Sequence, residues 1–370
     1  SAVHAAGIVI SKEPLVEHIP LYRTNEGMPV TAFEMGVLEK IGLLKMDFLG
    51  LSNLTVLSRA VEQIERTKGV KVNVGQIPQD DAKTYDMLSR AETTGVFQLE
   101  SPGMKRYIKE LKPQNIRELA AMVALFRPGP MDHIPTFIDS KFGRKPITYL
   151  HPSMEPVLRE TYGVIVYQDQ VLKLVQAMAG FSLGKADILR RAMGKKDAKA
   201  MDSMRVEFAQ GAQERGIPEE TVKAVWELLL PFAGYAFNKA HAVCYAILAY
   251  QTAYLKANYP VEYMAAMLSS FRENAGKVTT LIEECRRMKI PVIQPDVNES
   301  GLDFTITNDS IRVGLAAIKG VGAGLVDCPA LPAWTGRANC ARLRRPPGPP
   351  WPPPGFFPGR TEVLLAMRSD

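Results

Sequence analysis

The chain is poor in cysteine and histidine and has no long apolar run. Its four cysteines, Cys244, Cys285, Cys328 and Cys340, form no CxxC pair. That excludes the usual zinc-ribbon spacing and a disulfide framework, and it fits a reducing cytoplasm. The longest nearly apolar stretch, Ala242 to Leu255, contains Gln251 and Thr252 and suits a buried helix better than a membrane span. No signal or transit segment is visible. The chain opens on Ser1, directly into a strand pattern, so its start does not read as a natural domain edge. No P-loop, GxGxxG fingerprint or Ser/His/Asp triad is evident.

What is present is the composition of a globular protein. The 370 residues are 46% hydrophobic and 23% charged, enough for two or three domains. The net charge of +6 is shared evenly. Residues 327–370 carry six arginines against three acids, and the other 326 residues carry 39 basic and 36 acidic side chains. The body is close to balanced, so any preference for nucleic acid must come from local patches.

The first 50 residues read as strand-rich. Gly7 to Ile10 is a short strand, and Glu26 to Val30 is a turn entering a second strand, Thr31 to Phe33. From 51 to 270 the pattern is helical. Ser52 to Thr67 is a one-faced helix, and Ile116 to Phe126 stops at Arg127-Pro128-Gly129-Pro130. Gln168 to Ala179 ends at Gly180, and Ser182 caps a helix from Lys185 to Met193 that Gly194 ends. Pro218 starts a helix to Leu230, and Asn238 caps a long one to Asn258. Residues 271–326 form a small mixed α/β unit: a hairpin around Asn308-Asp309-Ser310, then a helix entering Gly320-Val321-Gly322-Ala323-Gly324. That glycine-rich turn is either a phosphate-binding half of a helix-hairpin-helix, with Lys319, Gly320 and Gly322 as its DNA contacts, or a plain turn. Residues 327–370 hold ten of the 27 prolines and no lysine. They read as a disordered Pro/Arg-rich tail, or as the product of a slipped reading frame. The fold class expected is α+β: a short β-rich N-terminal part, a large mostly helical domain, a small mixed unit and the tail.

Three groups carry chemistry. In Gly42 to Leu51, Lys45 and Asp47 lie two apart on a strand and so on one face, with Leu44, Met46 and Phe48 on the other, toward a core. The pair is either an internal salt bridge or a site where a carboxylate holds a metal and an ammonium a phosphate. Between Lys185 and Arg205, seven basic residues face Asp187, Asp197 and Asp202. Arg191 and Lys195 share a helix face with Arg190 beside them, and Lys196 follows. Such a cluster grips a polyphosphate, or it is a solvated helix end. Lys239 and His241 fall in the first turn of a helix, where anions collect, although a lone histidine there is as readily structural.

Five blocks then identify a family. They are Leu44 to Leu51, Thr94 to Ser101, Ala124 to Pro130, Ile188 to Lys196 and Gly234 to His241. They resemble the palm and fingers signatures of the C-family bacterial replicative DNA polymerases, the DNA polymerase III α subunits, over residues 3–326. The resemblance implies a DNA-directed DNA polymerase using two Mg²⁺ ions. Asp47 would be one of three metal-binding aspartates and Lys45 a palm contact to phosphate. Arg190, Arg191, Lys195 and Lys239 would bind the nucleotide, and His241 would lie near its sugar. Primer–template DNA and dNTPs would be the substrates, with Lys196 a contact to the DNA. Sliding clamp, proofreading exonuclease and clamp loader would be partners of the full-length protein, with no membrane. The family's upstream Asp-x-Asp strand, its thumb and its phosphoesterase-like domain are not in this sequence. The chain therefore reads as residues 1–50 of palm and 51–270 of fingers, inactive alone. The rival reading is a non-catalytic nucleic-acid- or nucleotide-binding module.

Overall fold

The computed structural model describes residues 6–24, 27–195 and 198–321, with backbone only at 193–195, 198 and 231–235. The expected Pro/Arg-rich tail, Gly322 and Lys196 lie outside the described residues. Contacts divide the chain into two units, Ser1–Thr55 and Val56–Asp370.

The first unit holds two separate two-stranded antiparallel sheets. Strand β1, Gly7–Ile10, follows the sequence reading. Strand β2 is Leu21–Arg23, and β3 is Pro29–Thr31 rather than Thr31–Phe33. Val30 pairs with Tyr22, and proline is tolerated as a first strand residue. The Thr31 hydroxyl donates to the Phe33 carbonyl (3.2 Å), which turns the chain away just where the strand was expected. Helix α1, Met35–Lys40, leads to β4, Leu44–Asp47, antiparallel to β1 with Gly7 opposite Asp47 and Val9 opposite Lys45. The expectation that Leu44, Met46 and Phe48 point into a core is overturned. They are 57%, 43% and 59% exposed, and their neighbours Ile8 and Ile10 are exposed as well. Alternation fixes which side chains share a face, but a two-stranded sheet cannot cover both of its faces. Among the described residues of the unit, the buried apolar side chains are Ile19 and Leu38.

The second unit is helical. Helix α2, Ser52–Lys68, buries Val56, Leu57, Ala60 and Ile64, one stripe at helical spacing. It is followed by α3 (Ala82–Ser89), α4 (Pro102–Leu111), α5 (Ile116–Leu125), α6 (Ile134–Lys141), α7 (Glu155–Leu158) and α8 (Gln168–Ala179). Then come α9 (Leu183–Lys195), α10 (Ala198–Gln213), α11 (Glu219–Tyr235), α12 (Lys239–Asn258), α13 (Pro260–Ser270) and α14 (Ala275–Arg287). Gly194 does not end α9, which runs one residue past it; a helical glycine costs about 1 kcal/mol, which packing overrides. Ser182 does cap it, accepting from the Lys185 N–H (3.2 Å). Pro218 precedes rather than opens α11, its carbonyl accepting from Val222 N.

Two cores result. Helix α12 is the axis of one: Ala246, Ala249 and Ala253 are fully buried, so α3, α5 and α13 approach it closely. The other joins α8 to α11 through Leu174, Val175, Leu189, Phe208, Val225 and Leu229. Beyond α14, strands β5 (Val292–Ile293), β6 (Thr305–Thr307) and β7 (Ser310–Arg312) form a sheet in the order β5-β7-β6. The β6–β7 turn places Asn308 and Asp309 at φ +49° and +57°, the left-handed pair that a two-residue hairpin needs. The helix expected to enter the glycine-rich turn is a single 3₁₀ turn, Leu315–Ala317; Ile318 is already extended.

Candidate functional site

Lys45 and Asp47 point to one side of β4, and Lys45 Nζ donates to Asp47 Oδ1 at 2.5 Å. The lysine side chain is 13% exposed and the carboxylate 44%. The two side chains form a salt bridge on one face of the strand. Two Mg²⁺ ions need several oxygen donors in fixed geometry. Among the described residues no three His, Cys, Asp or Glu side chains are grouped to hold a metal. The carboxylates described here do not fit a two-metal site.

On α9, Asp187 binds both predicted arginines. Arg190 Nε donates to Oδ1 (2.8 Å), and Arg191 Nε donates to Oδ2 (2.7 Å). The bonds from Arg190, with the charges of both arginines, hold the Asp187 carboxyl below its usual range. One carboxylate thus orients two forked cations while neutralising one, leaving a net charge of +1 on the triad. The signal was in the sequence, since an aspartate three and four residues before an arginine shares its face.

The start of α12 is the third group. Asn238 accepts from His241 N (2.9 Å), which fixes the first turn. Lys239 donates to both Glu160 oxygens (2.7 and 2.8 Å) and lies 5.6 Å from the Tyr167 ring centroid. Glu160 was not foreseen, because it stands 79 residues away in sequence. Burial, with the nearby Glu160 charge, raises the Tyr167 hydroxyl pKa. Tyr167 and Phe237 form a parallel bridge, with Gln168 N donating to Phe237 O (2.9 Å) and Phe237 N to Val166 O (3.1 Å). The Val164 to Gln168 segment therefore props the loop before α12.

From that loop runs a column of rings. The Arg127 guanidinium lies over Phe237 (4.4 Å), and Phe237 meets His241 edge-on (5.3 Å). His241 stacks on Tyr245 (4.1 Å, 29°), and Tyr245 packs against Phe97 (5.2 Å). Residues 241 and 245 follow the i, i+4 spacing of one helix face, and Phe237 continues the column from the loop before the helix. The columnar role of Arg127 and Phe97 was not legible in the sequence; only packing reveals it.

A cleft of about 640 Å³ opens beside Lys239 and Glu160, with Arg117, Tyr162 and Lys173 in its wall. Glu118 lies in it, 4% exposed, accepting from Lys141 Nζ (2.8 Å), Tyr162 Oη (2.7 Å) and Gln114 N (2.8 Å). Burial and the Glu118 bond raise the Tyr162 hydroxyl pKa. These bonds make Glu118 structural.

Of the predicted residues, the structure joins Lys45 to Asp47, Arg190 to Arg191 through Asp187, and Lys239 to His241 by one helical turn. Lys319 and Gly320 are exposed, with Gly320 at φ +87°. The side chain of Lys195 is not described.

Known proteins share this pattern. The finger domain of the bacterial DNA polymerase III alpha subunit matches residues 53–216. The bacterial DNA polymerase III alpha NTPase domain matches 1–50, and a helix-hairpin-helix motif matches 289–328. DNA polymerase III subunit alpha of Thermus aquaticus is 50% identical over 327 residues, 87% of this chain and 27% of that protein. The Caulobacter vibrioides subunit is 50% identical over 323 residues, 87% of this chain and 28% of that protein. That of Bacillus subtilis is 44% identical over 326 residues, 88% and 29%. The chain spans rather more than a quarter of the length of these relatives. With its finger-domain and alpha-domain segments matched in order, the chain belongs to the bacterial DNA polymerase III alpha subunit family.

Proposed function

We propose that this chain carries the end of the palm (1–50) and the fingers (51–270) of a replicative DNA polymerase, one that transfers a nucleotidyl group from a dNTP to a primer 3′-hydroxyl on a DNA template. Residues 271–326 are read as a small DNA-binding unit and 327–370 as a tail. The observation that carries the reading is the Asp187-oriented pair Arg190 and Arg191, two forked cations held in place for a polyphosphate. Lys239 and His241 add a cation and a ring at a helix N-terminus. Lys195 extends the nucleotide-binding basic face, and Lys196, Lys319, Gly320 and Gly322 serve the DNA. In the whole polymerase, in the cytoplasm, Mg²⁺ would be the metal and Asp47 one of its ligands. The other ligands are not among the residues described, so this chain is assigned no catalytic step and is read as inactive alone. Sliding clamp, proofreading exonuclease and clamp loader belong to the same proposal for the full-length protein. Among the described residues, no helix is long and apolar enough to cross a membrane.

The lack of a grouped metal site among the described residues favours a second reading, a non-catalytic nucleotide- or nucleic-acid-binding module. The double reversal R190E/R191E separates the two. Calorimetric titration with dATP should show binding by the parent chain and none by the variant under the first reading. Under the second, DNA affinity falls uniformly across sequences and its salt dependence becomes shallower.

A further inference from the structure

Seven residues other than glycine have a positive φ among those described. Six have a local reason. Ala91, Lys112, Tyr162 and Lys289 close helical segments, and Asn308 and Asp309 make the β6–β7 hairpin. Gln98, at φ +61°, has neither reason. It is the third residue of a turn closed by the bond from Leu99 N to Val96 O (3.2 Å). Phe97 before it is not left-handed, so the turn is of the class whose third position ordinarily takes glycine or asparagine.

The surroundings enforce that conformation. Phe97 N donates to Thr252 Oγ1 (3.1 Å) on α12, and Thr93 Oγ1 to Leu99 O (2.5 Å). Gly95 N donates to Glu100 Oε2 (3.0 Å), and Tyr263 Oη to Gly95 O (2.7 Å). Phe97 and Leu99 are buried on either side, yet Gln98 is exposed. Its carboxamide has no hydrogen-bond partner among the described residues, although it carries two donors and an acceptor. The preceding ring, Phe97, is the end of the column that runs through Tyr245 to His241. A strained, over-determined backbone that presents an idle amide marks a place where function outweighs local stability.

Resting on the nucleotide-binding reading above, we infer that the Gln98 carboxamide hydrogen-bonds the nucleoside part of the nucleotide received beside the Phe97–Tyr245–His241 column, and so sets specificity rather than gripping phosphate. The arginines of α9 meet the triphosphate, which carries no information about the nucleoside. Gln98 supplies a contact that does.

The test uses the full chain with dATP and with tripolyphosphate as calorimetric probes. Q98A is expected to bind dATP about 10-fold more weakly, the loss of one hydrogen bond, and tripolyphosphate unchanged. Q98N, which keeps the amide and tolerates the left-handed backbone, should stay within about 3-fold of the parent. Q98G is the decisive variant. It removes the steric cost of the turn, so it should melt no lower than the parent and still bind dATP as weakly as Q98A. Parent-like dATP binding by Q98G or Q98A overturns the inference, as does equal loss of both probes. A parent chain that binds neither probe, or an R190E/R191E variant that keeps both, sinks the nucleotide-site reading as well. Loss confined to primer–template DNA assigns Gln98 to DNA and also overturns it.

Discussion

The Lys256 ammonium is wholly buried and meets Glu284 at 2.5 Å. Its three protons have three acceptors, since it also donates to the carbonyls of Glu92 and Thr94, each at 2.7 Å. One side chain thus ties α12, α14 and the loop after α3 together, and Arg287 doubles the bond to Glu284 while reaching Glu92. Replacing one partner of such a buried pair strands the other groups. K256M should therefore lower the free energy of unfolding by about 3–5 kcal/mol, measured by urea denaturation. A cost below 1 kcal/mol would mean that water reaches the site.

The same network predicts an acid limb. Burial raises the Glu284 carboxyl, but the bonds from Arg287 and the charge of Lys256 outweigh it and set its pKa at about 2. The folded value lies below the unfolded one, so the stabilisation is complete above about pH 4.5 and is lost as the pH falls toward 2. E284Q should be less stable at neutral pH and should flatten this limb. Unfolding midpoints taken from pH 7 to pH 2 for parent and variant will show whether the two curves converge at the acid end.

Asp187 offers a gain rather than a loss. It offsets one of the two charges of the Arg190–Arg191 pair. D187N should raise tripolyphosphate affinity about 3-fold at low ionic strength, and the gain should vanish at high salt, as screening of an exposed charge requires. A weakened affinity would show instead that orientation of the guanidiniums outweighs the released charge.

These sites differ in how far the sequence shows them. Asn238 before α12 and Gly180 after α8 are local signals, and both helices begin and end where those residues place them. The Asp187–Arg190–Arg191 triad is also local, within four residues. The exposed face of Leu44 and Met46 is not, because which side of a sheet is covered depends on a partner element. The helices α3, α4, α6, α7, α10, α13 and α14 have short apolar periods, which alone do not set their bounds in the sequence. Lys239 with Glu160, Arg127 over Phe237 and the idle amide of Gln98 arise from contacts between distant segments or from a turn that lacks its customary glycine.

Gly314 makes the last prediction. It follows β7, and a Cβ there would collide with the backbone of Leu302 and Asp303. The close approach is held by Leu315 N donating to Gly301 O (2.9 Å) and Ala316 N to Leu302 O (3.2 Å), which bind the 3₁₀ turn to the segment that leads into β6. Backbone cannot step aside as a flexible side chain can, so G314A must break one of these bonds or shift β6 against β7. The expected cost is about 2–3 kcal/mol in urea denaturation, the scale of overpacking a tight contact. Amide exchange should speed up at Leu315 and Ala316 while α12 stays protected. If exchange there were unchanged, the contact would be slack and the turn free to move.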